Sequence, residues 1–210
     1  MRRMAVGVIA TCLLLGGCSS GMRAGMLTFQ EELAPNLPAV RETPLKPQLR
    51  YLLVESGGRE ALMVWVGNES GPVGETSVWL SADGVVVRLL QGRLVGVSEP
   101  RRAWQLTAEA PSSQALDPAS TAALVQTSDA QPGAQWGIVQ DIRRQLLPAT
   151  TSPMPWAEGT QGLRWVEEVD ASTGQRLSLY AINAQNQTIA GQRCINPQWC
   201  LRWQTWPAPQ

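Results

Sequence analysis

From Leu49 the chain turns to short β-patterned runs broken by glycine-rich and polar turns, and this punctuation points to an all-β domain. "LRYLLVES", "GGRE" and "ALMVWVGN" read as strand, turn and strand. The second run is apolar on both faces, as in a buried central strand, and places Trp65 in the core. In "TSVWLSADGVVVRLLQGRLVGV", Asp83-Gly84 lies between two β-rich runs. A two-residue type I′ connection is predicted there, because aspartate tolerates positive φ and glycine adopts it freely. Gln91-Gly92 marks the next turn, so residues 76–97 read as a three-strand antiparallel meander, while "SGGRE" reads as a looser turn.

The middle of the chain is open to two readings. Asp117-Pro118 fits a helix start through "ASTAALVQ", and "AALVQTS" fits a strand equally well. "AQWGIVQDIRRQLLPA" is equally ambiguous, so residues 116–147 are assigned to neither class. After a loop, "TTSPMPWAEGTQG", the runs "LRWVEEVD", "RLSLYAIN", "TIAGQRC" and "CLRWQTW" are joined by the turns "ASTGQ" and "AQNQ". Residues 49–210 therefore read as one all-β domain, an antiparallel meander sheet curled into an open barrel or sandwich.

The N-terminus has a different character. Arg2 and Arg3 precede an apolar run far shorter than the ~20 residues of a membrane-spanning helix. Small residues follow, so residues 1–17 read as a cleavable signal. Leu15-Gly16-Gly17-Cys18 reads as a lipobox, which makes Cys18 the acylated first residue of the mature chain. Ser19, rather than aspartate, follows it. The expected location is the periplasmic face of the outer membrane, with the chain anchored there by lipid. Residues 18–48 carry Pro35, Pro38, Pro44 and Pro47 and read as a flexible tether. Within it Met22, Met26, Phe29 and Leu33 form an apolar stripe, which fits either a short docking helix or one too short to persist.

Removing residues 1–17 takes two of the 17 basic residues and none of the 17 acidic ones, leaving a net charge of −2. With no basic block, nothing supports nucleic-acid binding. Histidine is absent, which excludes Ser-His-Asp and Cys-His catalysis and the commonest metal ligand. Lys46, the only lysine, lies in the tether, so Ser-Lys catalysis has little to draw on. No metal site or cofactor is expected. Cys194 and Cys200 read as a structural disulfide closing a small loop, worth about 2 kcal/mol; as metal ligands they lack two partners, and their spacing is not that of a redox pair.

Two groups remain as candidate chemistry. Glu168 and Asp170 alternate along one strand and would share a face, at a spacing that glycoside hydrolysis could use; an acidic pair on a wet strand face is the more ordinary arrangement. The nine tryptophans, against two tyrosines and one phenylalanine, offer flat faces for sugar stacking or bulk for a β core. Trp199 and Trp203 share strand parity near the disulfide and are the candidate sugar contacts, and Trp79 shares a face with Ser77 and Ser81. No catalytic residue is assigned, and the chain is read as a non-enzyme.

In "ALMVWVG", "SVWLSADGVVVRLLQGRLV" and, less closely, "LSLYAINAQNQTIAGQR", the chain resembles the YjbF/GfcB family of lipoproteins. The matching positions are Trp79, Ser81, Asp83, Gly84, Gln91, Gly92, Arg93, Leu94 and Val95, within a block from about Leu62 to Val97. The resemblance implies a mainly antiparallel β fold and a non-catalytic place in capsule or exopolysaccharide assembly or export. It also implies a periplasmic partner of the GfcC/YjbG type and an outer-membrane barrel of the GfcD/YjbH type. The alternative is a periplasmic protein that binds or modifies polysaccharide. The Cys194–Cys200 pair departs from the family pattern.

Overall fold

The computed structural model describes residues 39–111, 122–148 and 153–208; the signal, Cys18 and the apolar stripe of residues 22–33 lie outside these. Twelve strands follow one another: β1 (Tyr51–Ser56), β2 (Arg59–Gly71), β3 (Gly74–Ser81), β4 (Val86–Leu90), β5 (Arg93–Glu99), β6 (Arg102–Ala110), β7 (Ala122–Gln131), β8 (Gln135–Leu146), β9 (Arg164–Asp170), β10 (Arg176–Ile182), β11 (Thr188–Asn196) and β12 (Trp199–Trp206). Each pairs antiparallel with its sequence neighbours, and β1 pairs with β12. The sheet is therefore a closed up-and-down barrel, a definite form of the expected curled meander, in which every strand has two neighbours, while residues 135–141 of β8 extend past β9 and pair with β7 alone. The two ambiguous segments are strands: "AALVQTS" lies in β7 and "QWGIVQDIRRQL" is β8. A helix there would have broken the ladder between β6 and β9. Among the described residues no helix is long and apolar enough to cross a membrane.

Two of the turn assignments change places. Ser56 pairs with Arg59, and Gly57 and Gly58 between them take φ of 60° and 79°, so "SGGRE" holds the tight turn with positive φ at both central residues. At Asp83-Gly84 only Gly84 has positive φ, at 83°. Ser81 N–H donates to the Val85 carbonyl at 3.0 Å and Gly84 N–H to the Ser81 carbonyl at 3.2 Å. This is a three-residue loop with glycine in the left-handed position, a longer hairpin connection than the predicted type I′ turn. Gln91 and Gly92, at φ of 50° and 82°, form the second tight turn as predicted.

A barrel of eight strands is narrow enough for ordinary side chains to fill, and twelve strands enclose more space. Large residues occupy it. Trp79, Trp104, Trp199 and Trp203 are buried with Leu52, Val87, Leu106, Tyr180, Ile182 and Leu201 in the main apolar cluster. Trp199 and Trp203, the candidate sugar contacts, are 4 % and 2 % exposed, so both are interior fillers rather than a surface platform. Trp65 packs half-buried against this cluster, and Val66, on the opposite face of β2, is 57 % exposed because that face meets solvent instead of being covered. A second apolar cluster sits on the outer wall, where Met154 and Ala157 pack on Trp165, Leu179, Ala181 and Ala190. Cys194 and Cys200 stand opposite each other on β11 and β12 and form the expected disulfide.

The stretch read as the end of the tether is docked. Residues Val40–Glu42 form a 3₁₀ turn, and Arg41 ion-pairs with Glu60 at 2.6 Å and with Glu158. Its guanidinium lies 5.4 Å from the Trp156 ring and 5.8 Å from that of Trp206. The Glu60 hydrogen bond raises the Arg41 pKa and holds Glu60 below the usual carboxylate range, so both stay charged.

Candidate functional site

The most highly organised polar group is inside the barrel. Alternation turns Val166 and Glu168 of β9 inward and leaves Trp165 and Glu167 on the outer wall. Glu168 is fully buried. Its Oε1 accepts from Arg144 Nη2 at 2.7 Å and Nε at 3.2 Å, and lies 3.6 Å from Arg93 Nη2. Its Oε2 accepts from the Tyr180 hydroxyl at 3.1 Å and lies 3.5 Å from Arg193 Nη1. Arg93 also forms a two-pronged pair with Glu109, at 3.1 and 2.6 Å. Gln126 ties the groups together by donating to Glu109 at 2.9 Å and accepting from Arg193 at 3.0 Å.

Burial alone would push the Glu168 pKa up, but Arg93, Arg144 and Arg193 outweigh it and bring it down to about 2. Burial pushes the Tyr180 hydroxyl up, and the Glu168 charge pushes it further. Glu168 thus stays ionised near neutral pH, with Tyr180 as a neutral donor. It cannot supply a general acid near neutral pH, which needs a proton held close to the working pH. Asp170 does not join Glu168. It closes the β9–β10 turn, accepting from Ser172 N–H and Thr173 N–H at 2.9 Å each, and the Ser172 hydroxyl bond holds its pKa low. The two carboxylates expected to share a face are therefore engaged in separate structural tasks.

The barrel has a hollow mouth. A cavity of about 400 Å³ opens where the β1–β2, β3–β4 and β5–β6 hairpins turn. Val54, Met63 and Leu201 line it together with Ser56, Arg59, Asp83, Glu99 and Arg102. Glu99 accepts from Arg102 at 2.6 Å and from the Trp199 indole at 3.1 Å, and the Arg102 guanidinium covers Trp199 at 4.4 Å. The indole of Trp199 is thus covered by a cation rather than offered to a ligand.

A separate groove of about 120 Å³ lies between Arg88, Ser98, Gln105, Asp129, Gln131 and Trp136. Trp136 is the second residue of β8 and is 61 % exposed. Sequence reasoning passed over Trp136 because its segment had no assigned period. It missed Arg144 and Arg193 because a strand arginine is ordinarily solvent-facing. The available signal was parity: Arg193 alternates with Gly191, and Arg144 with Ile142. Among the described residues no group of three or more Cys, Asp or Glu gathers as a metal site.

No family model matches the chain, and no curated protein matches it. Among solved structures, the hypothetical lipoprotein YmcC from Escherichia coli (K12) superposes with a TM-score of 0.60 at 14 % identity, covering 90 % of this chain and 96 % of that chain. The likeness is one of fold. The sequence block from Leu62 to Val97 spans most of β2 through β5 of this barrel.

Proposed function

We propose that this chain is an outer-membrane lipoprotein, anchored through Cys18 on the periplasmic face, that serves without catalysis as an accessory in capsule or exopolysaccharide assembly or export. The lipobox and the block from Leu62 to Val97 support the envelope role. A fold shared over 90 % of the chain with a protein described as a lipoprotein agrees with it. The observation that carries the non-catalytic part is the state of Glu168. The carboxylate singled out for chemistry is fully buried, ionised and held among three arginines. A buried pair of this kind organises an interior and offers no proton to a substrate.

The test is isolation of the tagged full-length protein from crosslinked membranes. The reading expects it in the outer-membrane fraction, together with a periplasmic protein and an outer-membrane barrel of a polysaccharide export system. Recovery from the inner membrane without such partners would overturn it. The alternative, a polysaccharide-binding protein, is favoured by one specific observation, the exposed Trp136 beside a polar groove.

A further inference from the structure

Building on the polysaccharide-export reading, we infer that the groove beside Trp136 is a carbohydrate subsite that holds one sugar ring of a polysaccharide strand. The tryptophans of the barrel are otherwise accounted for. Trp79, Trp104, Trp165, Trp199 and Trp203 are buried. The remaining three lie against arginines: Trp65 is 4.9 Å from Arg50, and Trp156 and Trp206 are 5.4 and 5.8 Å from Arg41. Trp136 alone of the nine is mostly in water, at 61 % exposure. The fold does not require a large aromatic there, since a solvent-facing position of an antiparallel strand is ordinarily polar.

The neighbours of Trp136 specify the ligand class. Arg88, Ser98, Gln105, Asp129 and Gln131 bring amide, hydroxyl, guanidinium and carboxylate groups to the same groove. Between them they present both donors and acceptors beside one aromatic face. A sugar ring has the matching pattern, with C–H groups on its faces and hydroxyls around its edge. Two of the groove groups are already oriented. Asp129 Oδ1 accepts the Gly137 N–H at 2.7 Å, and Arg88 is ion-paired with Glu69. The paired arginine carries no uncompensated charge, which disfavours a phosphate. The groove's volume, about 120 Å³, is less than a whole hexose and far too little for a helix, so a ring would lie over Trp136 with only its edge and hydroxyls entering the groove. Gly96 lies opposite Gln105, and the stem of Arg88 fills the space its side chain would take.

The experiment is affinity electrophoresis of the full mature lipoprotein in detergent. Separate gels are cast with exopolysaccharide extracted from the producing cells, with dextran and with alginate. Wild type should be retarded by the cells' own polysaccharide. Trp136→Ala should weaken that retardation about tenfold, the loss expected when one stacked aromatic face is removed. Trp136→Phe should retain most of it. Because Trp136 is largely exposed, the alanine variant should unfold at the wild-type urea midpoint, which separates lost binding from lost folding. Equal retardation of wild type and Trp136→Ala, or no retardation of wild type in any gel, overturns the subsite. Cells distinguish this failure from failure of the export reading. If deleting the gene lowers exported polysaccharide and Trp136→Ala restores it fully, the subsite is wrong and the accessory role stands. If deletion changes nothing, the export reading is wrong, and the gels alone decide the subsite.

Discussion

Replacing Glu168 by Gln should be among the most damaging conservative changes in the barrel. Glutamine keeps the volume, so no cavity confuses the result, but it removes the negative charge facing Arg93, Arg144 and Arg193. The magnitude follows from the proton affinity. The Glu168 pKa falls from 4.5 to about 2 in the folded chain, and at about 1.4 kcal/mol per unit the ionised form contributes about 3 kcal/mol. Breaking a buried pair by removing one partner costs about 3–5 kcal/mol, which agrees. In urea unfolding of the chain from Ser19 at pH 7, with a slope of about 2 kcal/mol per molar, the midpoint should fall by about 1.5 M. The folded pKa lies below the unfolded one, so this contribution is complete above pH 4.5 and is lost as pH falls through 2. Wild type should therefore lose stability steeply across that window, and Glu168→Gln should lose less, with Glu60, Glu109 and Asp170, also held low, contributing to the remainder. An unchanged midpoint at pH 7, or identical acid slopes for the two proteins, would refute the reasoning.

Three other outcomes are expected. Gly191→Ala should destabilise by about 3 kcal/mol, because the new Cβ would lie 2.7 Å from Trp203 Cε2 and displace the indole from its 2.9 Å bond to the Gly92 carbonyl; a wild-type thermal midpoint would show that the indole can move freely. Gly57→Val should cost at least as much as Gly84→Val in urea unfolding, since both place a β-branched residue at positive φ and only Gly57 belongs to a two-residue turn; a clearly smaller cost at Gly57 would contradict the turn assignment. Cys18→Ala should leave the chain soluble or uncleaved, because stable anchoring needs at least two acyl chains; its recovery in the outer-membrane fraction at normal levels would show that the lipid is not the anchor.

The strands were legible where the residues carry a period. Asp83-Gly84, Gln91-Gly92, "ASTGQ" and "AQNQ" all fall at turns between paired strands. Closure was not legible, because pairing of Tyr51–Ser56 with Trp199–Trp206 joins the two ends of the domain, and no local pattern reports a contact that distant. Turn type failed for a related reason. Whether Asp83 or Gly57 takes positive φ depends on how many residues the strands leave unpaired, which the dipeptides alone do not state. The shared parity of Trp199 and Trp203 was correct, but the face it defines is the inside of a wide barrel that needs bulky fillers. The same need explains why Arg93, Arg144 and Arg193 point inward, where they share Glu109 and Glu168. Trp136 escaped notice because β8 is exposed at five of its first seven residues and shows little apolar alternation.

The measurement that bears most directly on the accessory role is the amount of polysaccharide reaching the cell surface with and without this chain. Deletion of the gene should lower exported polysaccharide severalfold. Reintroduction of the wild-type protein should restore it, and the Cys18→Ala protein made at the same level should not. Unchanged export in the deletion strain, with the polysaccharide genes expressed, would contradict the account.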